Sequence, residues 1–277
     1  MDAFRRRAAL LARPAVVAVL LVLLGAFAGG VSAGTVQIWT FVAINVLLAQ
    51  SVNLLTGVAG QISLGHAAFL GIGAYGSALL MKHFGVPLPL TLVAALLAGA
   101  LAGWLLSFAA GRVREFYLAM MTLGFGMIFY EVAREWTDLT GGVIGLSGVP
   151  SPGLRSLRLF GVDVGPVGYF RIVLAVTALA VWMLHNLLCS PYGRALFAIH
   201  VSEVAAGSIG VPRERSKREA YVLSAALAAL AGAFYAHLVG YLGPDAFGMN
   251  RSVEALVMAV VGGLGSLAGP VLGAVVF

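Results

Sequence analysis

The sequence predicts an all-helical integral membrane protein, and three observations predict it. Hydrophobic residues make up 61% of the 277-residue chain and charged residues only 10%, more apolar surface than a soluble fold can hide. From Pro14 to Met81 there is no Asp, Glu, Lys or Arg. That run would form roughly 100 Å of helix, enough to cross a hydrocarbon core of about 30 Å three times. The 36 glycines suit helices whose backbones approach closely in lipid. The net charge of +6 is therefore a topology signal, not the footprint of a nucleic-acid partner. The single Cys189 can form no internal disulfide and serves as a small apolar filler at a span end.

Taken in order, the chain opens with Arg5, Arg6, Arg7 and Arg13, and spans are expected near 14–33, 36–56 and 61–81. The basic start, apolar core and Val31-Ser32-Ala33 also have the form of a signal peptide. An uncleaved first span is preferred because a second follows almost at once. Asn45, Gln50, Asn53 and Gln61 lie within this region and should face protein or a cavity, not lipid. Asn45, Asn53, Gln61, Ser63 and His66 are candidates for a translocation pathway or for helix packing. For His66, a hydrogen-bonded packing role is preferred.

The turn Gly85–Pro89 precedes a fourth span to about Gly111, and Arg112, Arg114 and Glu115 form a short polar loop. A fifth span covers Phe116 to about Val132. Glu131, Arg134, Glu135 and Asp138 then mark an aqueous exit. Residues 139–168, rich in Gly, Pro and Ser, are the largest external loop. Span six is Tyr169–Leu188 and span seven Ala220–Leu242, with a cytoplasmic loop at 189–219 between them. The last run, Ser252–Phe277, is interrupted at Gly262–Pro270. It is either one broken span or a short inserted segment followed by the start of another. The apolar end Val275-Val276-Phe277 suggests a chain cut short. About eight spans in one domain, 1–277, would place both ends in the cytoplasm. Eleven basic residues then fall inside: Arg5, Arg6, Arg7, Arg13, Arg112, Arg114, Arg194, Arg213, Arg215, Lys217 and Arg218. Six fall outside: Lys82, Arg134, Arg155, Arg158, Arg171 and Arg251. This follows the positive-inside rule.

Within the cytoplasmic loop, Arg194–Pro212 predicts a short amphipathic helix. Ser202 caps it, Glu203 in its first turn complements the dipole, and Gly207, Gly210 and Pro212 end it. Ala205, Ala206 and Gly207 would present a surface without bulk for a docking partner. An interfacial helix lying on anionic lipid is the alternative.

Several chemistries are excluded. Neither Lys82 nor Lys217 belongs to a GxxxxGK[ST] loop, so energy must come from a gradient or a partner. The five histidines make no HxxxH pair and there is no CxxC, so no metal site is expected. No acidic residue falls at mid-span, which argues against an ion-coupled carrier. Gly145-Leu146-Ser147-Gly148 with the later His237 resembles the dyad of rhomboid-type intramembrane serine proteases. The Val149–Gly153 run after Ser147, with its two prolines, cannot start the helix such a nucleophile needs.

A broader resemblance covers nearly everything after Gln37. NLLTGVAGQISLGHAAFLGIGAYGS (Asn53–Ser77) resembles the signature of LivM-like permeases, the membrane subunits of ATP-binding-cassette (ABC) importers for branched-chain amino acids. So do YLAMMTLGFGMI (Tyr117–Ile128), LTGGVIGLSGVP (Leu139–Pro150), GRALFAI (Gly193–Ile199), AALAALAGAFYAHLVGYLGPDAF (Ala225–Phe247) and VVGGLGSLAGPVLGA (Val260–Ala274). The resemblance implies an ABC importer permease fold in the bacterial inner membrane, with no catalytic residues and no cofactor on this chain. It implies two cytoplasmic ATPase subunits carrying ATP and Mg, a second related permease and a periplasmic or lipoprotein substrate-binding protein. It also implies a coupling helix at Arg194, Ser202, Glu203, Ala205, Ala206, Gly207 and Gly210. Where the family usually has an Arg-Glu-Asp or Arg-Glu-Asn run, this chain has His200-Val201-Ser202.

Overall fold

A computed structural model describes residues 32–110, 115–152, 158–159 and 162–277. The expected span at 14–33 lies almost wholly outside them. Helix α1 (Ala33–Val52) begins where the Ser32 hydroxyl accepts the Thr35 N–H at 3.5 Å. It runs straight into a π-helical stretch, Asn53–Val58. Every residue from 43 to 58 is buried, so this part of the helix is enclosed by protein on all sides. Gly60, at φ +68°, then turns the chain. Helix α2 (His66–Phe84) starts five residues later than the predicted third span. The reason is local: the Leu64 N–H is held by the Thr122 hydroxyl at 2.9 Å, which ties this stretch to a neighbouring helix.

Helix α2 ends at Gly85 in the left-handed region, with the Gly85 N–H on the Met81 carbonyl. Helix α3 (Leu88–Ala110) follows, then α4 (Glu115–Glu135) and the short α5 (Thr137–Thr140). Along α3, Leu90, Val93, Leu97, Leu101, Trp104, Leu105 and Phe108 stay exposed. Three- and four-residue spacing makes them one apolar stripe, which hydrocarbon accepts and water does not. The 139–168 loop holds two small pieces of sheet. Strand β1 (Leu146–Ser147) pairs with β4 (Tyr241–Leu242), and β2 (Arg158–Leu159) with β3 (Val162–Asp163).

Helix α6 (Pro166–Cys189) carries proline in its first turn, where a missing N–H costs nothing. The loop after it folds as two helices, not one: α7 (Pro191–Val201) and α8 (Glu203–Ser208), parted at the extended Ser202. Helix α9 (Arg213–Val239) starts seven residues before the predicted Ala220. The basic run is thus helical. Glu214 sits at the positive end of the dipole, and Arg215 pairs with Glu219 at 2.8 Å, one turn on.

Helices α2 and α9 cross at the centre of the bundle with no side chain between them. A methyl group at Gly73 would overlap the Ala229 carbonyl, and one at Gly232 the Leu70 carbonyl. Small residues permit that approach, and dispersion between backbones rewards it. The apolar end of the chain resolves into α10 (Met249–Gly262) and α11 (Ala268–Val276), which double back on each other. A methyl group at Gly273 would strike the Met258 carbonyl, and one at Gly262 the Gly269 carbonyl. Of the two expected forms, the run is therefore the inserted segment followed by a second helix. At 14 residues, α10 spans only about 21 Å and cannot cross a bilayer alone.

Among the described residues, four helices are long and apolar enough to cross a membrane: Ala33–Val58, Leu88–Phe108, Pro166–Cys189 and Arg213–Val239. The predicted spans at 61–81 and 116–132 form α2 and α4, which fall short of that measure. Helix α2 holds His66, Lys82 and His83 and is largely buried by its neighbours. Helix α4 ends in Glu131, Arg134 and Glu135.

Candidate functional site

The loop between α6 and α9 is held to the bundle at four points. The Arg194 guanidinium donates to the Cys189 carbonyl at 3.2 Å, satisfying the end of α6. The Ser202 hydroxyl accepts the Ala205 N–H at 3.3 Å, and Glu203 forms an ion pair with Lys217 of α9. Tyr192 donates to the Ser216 carbonyl at 3.0 Å, and burial raises its phenol well above the usual tyrosine range, so it stays a donor. His200 Nδ1 donates to the Val58 carbonyl at 3.3 Å, and its ring covers Gly60. The loop thus touches the end of α1 directly.

The small-residue surface is not as expected. Ala206 is buried, and Gly207 lies beside the Arg213 side chain. A six-residue helix anchored by Ser202 and Glu203 turns its fourth and fifth residues, Ala206 and Gly207, towards the bundle. The outward surface comprises Ala205 with Val201, Val204 and Ile209, the last three 86%, 76% and 75% exposed. Gly210 is exposed at φ +83° and reverses the chain after α8. Sequence reasoning passed over the three aliphatic residues, although apolar side chains at an aqueous helix tip are themselves a signal.

Inside the bundle, polar residues of α1 and of the π-helical stretch that continues it hold the turn between α10 and α11. Asn53 Oδ1 accepts the Gly265 N–H at 2.7 Å, and Asn53 Nδ2 donates to the Ser266 carbonyl at 2.9 Å. Gln50 Nε2 donates to the Leu267 carbonyl at 2.6 Å. The fit is close: a methyl group at Gly57 would overlap the Gly265 nitrogen. Backbone away from regular helix needs such partners at membrane depth. His66 Nε2 lies 2.9 Å from the Ser224 hydroxyl, whose proton goes to the Ser51 carbonyl at 2.7 Å. Nε2 therefore carries the imidazole proton and donates it, and His66 is fully buried. Ser63 lies 3.5 Å from the Tyr221 hydroxyl. Gln61 is buried with its Oε1 unpartnered among the described residues, as is His66 Nδ1.

Ser147 and His237 are not brought together as a dyad. His237 lies 2.8 Å from Ser77 Oγ and 2.9 Å from the Pro150 carbonyl, so both ring nitrogens are engaged elsewhere. Ser147 sits on β1 with its carbonyl accepting from Lys82 at 3.0 Å.

Arg251 is the residue the sequence placed wrongly. It is not a loop cation: its Nη2 donates to Asn45 Oδ1 at 2.6 Å and its Nη1 to Glu254 at 2.9 Å. Asn45 is the thirteenth residue of the 26-residue Ala33–Val58 helix, so the guanidinium lies at the level of its middle. The i,i+3 spacing of Arg251 and Glu254 was visible; the depth of α10 was not.

An all-helical bundle with a re-entrant hairpin pinned by buried amides, and a two-helix loop at one end, has the build of a membrane permease. The chain belongs to the family described as branched-chain amino acid transport system permease components, whose model matches residues 34–277. It is 35% identical over 275 residues to the high-affinity branched-chain amino acid transport system permease protein LivM of Escherichia coli K12. That match covers 92% of this chain and 65% of the relative. LivM of Salmonella typhimurium LT2 is 36% identical over the same shares. The autoinducer 2 import system permease protein LsrC of Salmonella paratyphi B is 28% identical over 201 residues, 70% of this chain and 54% of that one. The chain thus spans 65% of the length of the LivM relatives. No solved structure matches.

Proposed function

We propose that this chain is the membrane-spanning permease subunit of an ATP-driven ABC importer in a bacterial inner membrane, moving branched-chain or other apolar amino acids. In this reading it crosses the membrane about eight times, with its N-terminus in the cytoplasm, as one domain. The 139–168 loop faces outward and the 189–219 loop inward. With Arg251 withdrawn from the outer loops, the outer basic residues fall from 6 to 5 and the inward excess grows. Its partners are two cytoplasmic ATPases, which supply ATP and Mg, a related permease and a substrate-binding protein.

The observation that carries this reading is the α7–α8 loop. Val201, Val204 and Ile209 are exposed where Arg194, Ser202, Glu203 and His200 are all turned to internal contacts. An anchored handle with an apolar tip fits a protein groove. In alternating access, closure of the ATPases on ATP would move α8. Glu203–Lys217 would pass that motion to α9, and His200–Val58 would pass it to the end of α1. There Asn53 and Gln50 grip the α10–α11 turn, so the same displacement would shift the re-entrant hairpin.

The test is uptake of amino acids into proteoliposomes holding the chain, its ATPases and its binding protein. Val204→Asp with Ile209→Asp should leave the chain extractable and monodisperse but abolish ATPase binding and ATP-dependent uptake. Wild-type uptake in the double variant would overturn the docking role. Absence of ATP-dependent uptake by the wild-type assembly would overturn the importer reading.

A further inference from the structure

A charge pair at the level of mid-helix needs a reason. Arg251 and Glu254 lie one turn apart on α10, and the guanidinium meets Asn45 at the centre of α1. Ser252, between them, accepts the Ala67 N–H at 3.0 Å and fastens α10 to the first turn of α2. The pair is thus held at a fixed depth. Taking two charges out of water costs several kcal/mol per ion, and apolar side chains of the same size usually serve stability as well or better.

The pair is also not sealed. The Arg251 side chain is 11% exposed but that of Glu254 is 39%, and Phe41 beside them is exposed as well. A carboxylate that open at this depth is ill suited to hydrocarbon; it calls for water, a polar solute or a neighbouring protein chain. The guanidinium is underused in the same way. Of its five N–H donors, two are engaged among the described residues. Its carbon lies 5.4 Å from the ring centre of Phe41 and 5.9 Å from that of Tyr235, whose centres are 6.3 Å apart.

We propose that Arg251, Glu254, Asn45, Phe41 and Tyr235 form a binding site for the zwitterion of a small apolar amino acid in the translocation path. This rests on the importer reading for its place in a transport cycle. Arg251 offers a planar fork to the α-carboxylate, the geometry at which guanidinium excels. Glu254 receives the α-ammonium, and the ion pair opens to admit both groups at once. Asn45 keeps the guanidinium oriented while its carboxylate partner is shared. The rings of Phe41 and Tyr235 take the aliphatic side chain, so the site demands two opposite charges and an apolar body together. Charge exchange within one site explains how a solute can bind at this depth without a net unpaired charge on either side.

The test has two arms. In the first, the full chain carrying Cys189→Ser and Ile38→Cys, one turn before Phe41 on α1 and exposed, is placed in proteoliposomes, because Cys189 is an exposed free thiol that would compete. The new thiol is titrated with an anionic methanethiosulfonate reagent in the presence of leucine, leucinamide or 4-methylpentanoate. Leucine should slow modification about fivefold or more, and the two analogues, each lacking one charge, far less. No modification, no protection, or equal protection by all three compounds would overturn the site. In the second arm, Arg251→Gln and Glu254→Gln are assayed in the complete transporter. Amino acid moved per ATP should fall about tenfold while ATPase activity persists, with Arg251→Lys intermediate. Unchanged coupling in all three variants would overturn the proposal, as would ATPase activity lost in parallel with uptake. Protection by leucine in a chain that supports no ATP-driven uptake would leave the site standing and sink the importer reading.

Discussion

The α2–α9 crossing and the α1–hairpin junction are both tight, but by different means. At the first, glycine faces a carbonyl twice over, Gly73 on Ala229 and Gly232 on Leu70, with backbone against backbone. At the second, side-chain amides grip the backbone of a turn, Asn53 on Gly265 and Ser266 and Gln50 on Leu267. Close-packed backbones have one arrangement, and any slip meets overlap. Hydrogen bonds to a turn can be exchanged for others at modest cost. The frame is built to hold and the junction is suited to move. That is the division of labour the proposed alternating access needs.

The contrast breaks most severely at Gly232. Gly232→Leu should prevent the α2–α9 crossing altogether, leaving chain that is not recovered as a monodisperse species on size exclusion. Asn53→Leu should act more gently. It leaves the Gly265 N–H and Ser266 carbonyl without partners, about 1–3 kcal/mol each. Thermal unfolding in detergent should drop while the chain still folds, and uptake per ATP should fall further than stability alone explains. Gly265→Ala forces a side chain into φ +77°, costing about 1–3 kcal/mol; the expected result is the same transport defect in weaker form. Smallest is His200→Ala, which removes one hydrogen bond to Val58, about 0.5–1.5 kcal/mol. Its signature should be ATPase activity only weakly coupled to uptake. Should Gly232→Leu prove harmless, or Asn53→Leu as damaging as Gly232→Leu, the distinction between frame and junction fails.

Apolar runs made the long helices legible, because a helix that meets lipid or an apolar core must be apolar along its length. The runs behind α1, α3 and α6 matched their helices to within a few residues. Helix α9 was read short because Arg213, Arg215, Lys217 and Arg218 look like loop composition, yet Glu214 and Glu219 let that run sit on a helix. The double-helix form of the 189–212 loop hinged on Ser202, correctly read as a cap but not as the break that ends α7 as well. The inward turn of Ala206 depends on which face Glu203 and Ser202 fasten, a tertiary fact. Arg251 was misplaced for the same reason: nothing local tells a charge after Gly248 that its helix begins deep in the bundle. The polar set Asn45, Asn53, Gln61, Ser63 and His66 was visible as residues that lipid would not accept. Its partners, up to some 200 positions distant in the chain, were not.

The π-helical stretch at Asn53–Val58 has a consequence of another kind. A π turn holds one residue more than the α turn it replaces, so this segment is an insertion that the helix has absorbed in place of extruding it as a loop. The extra residue rotates everything after it about the helix axis. It sets the direction in which Val58 and Gly60 leave the bundle to meet His200. Deleting a single residue between Leu54 and Val58 would restore regular helix and improve local hydrogen bonding. It would also turn the exit away from the loop between α6 and α9, so the irregular helix is the one that stays connected.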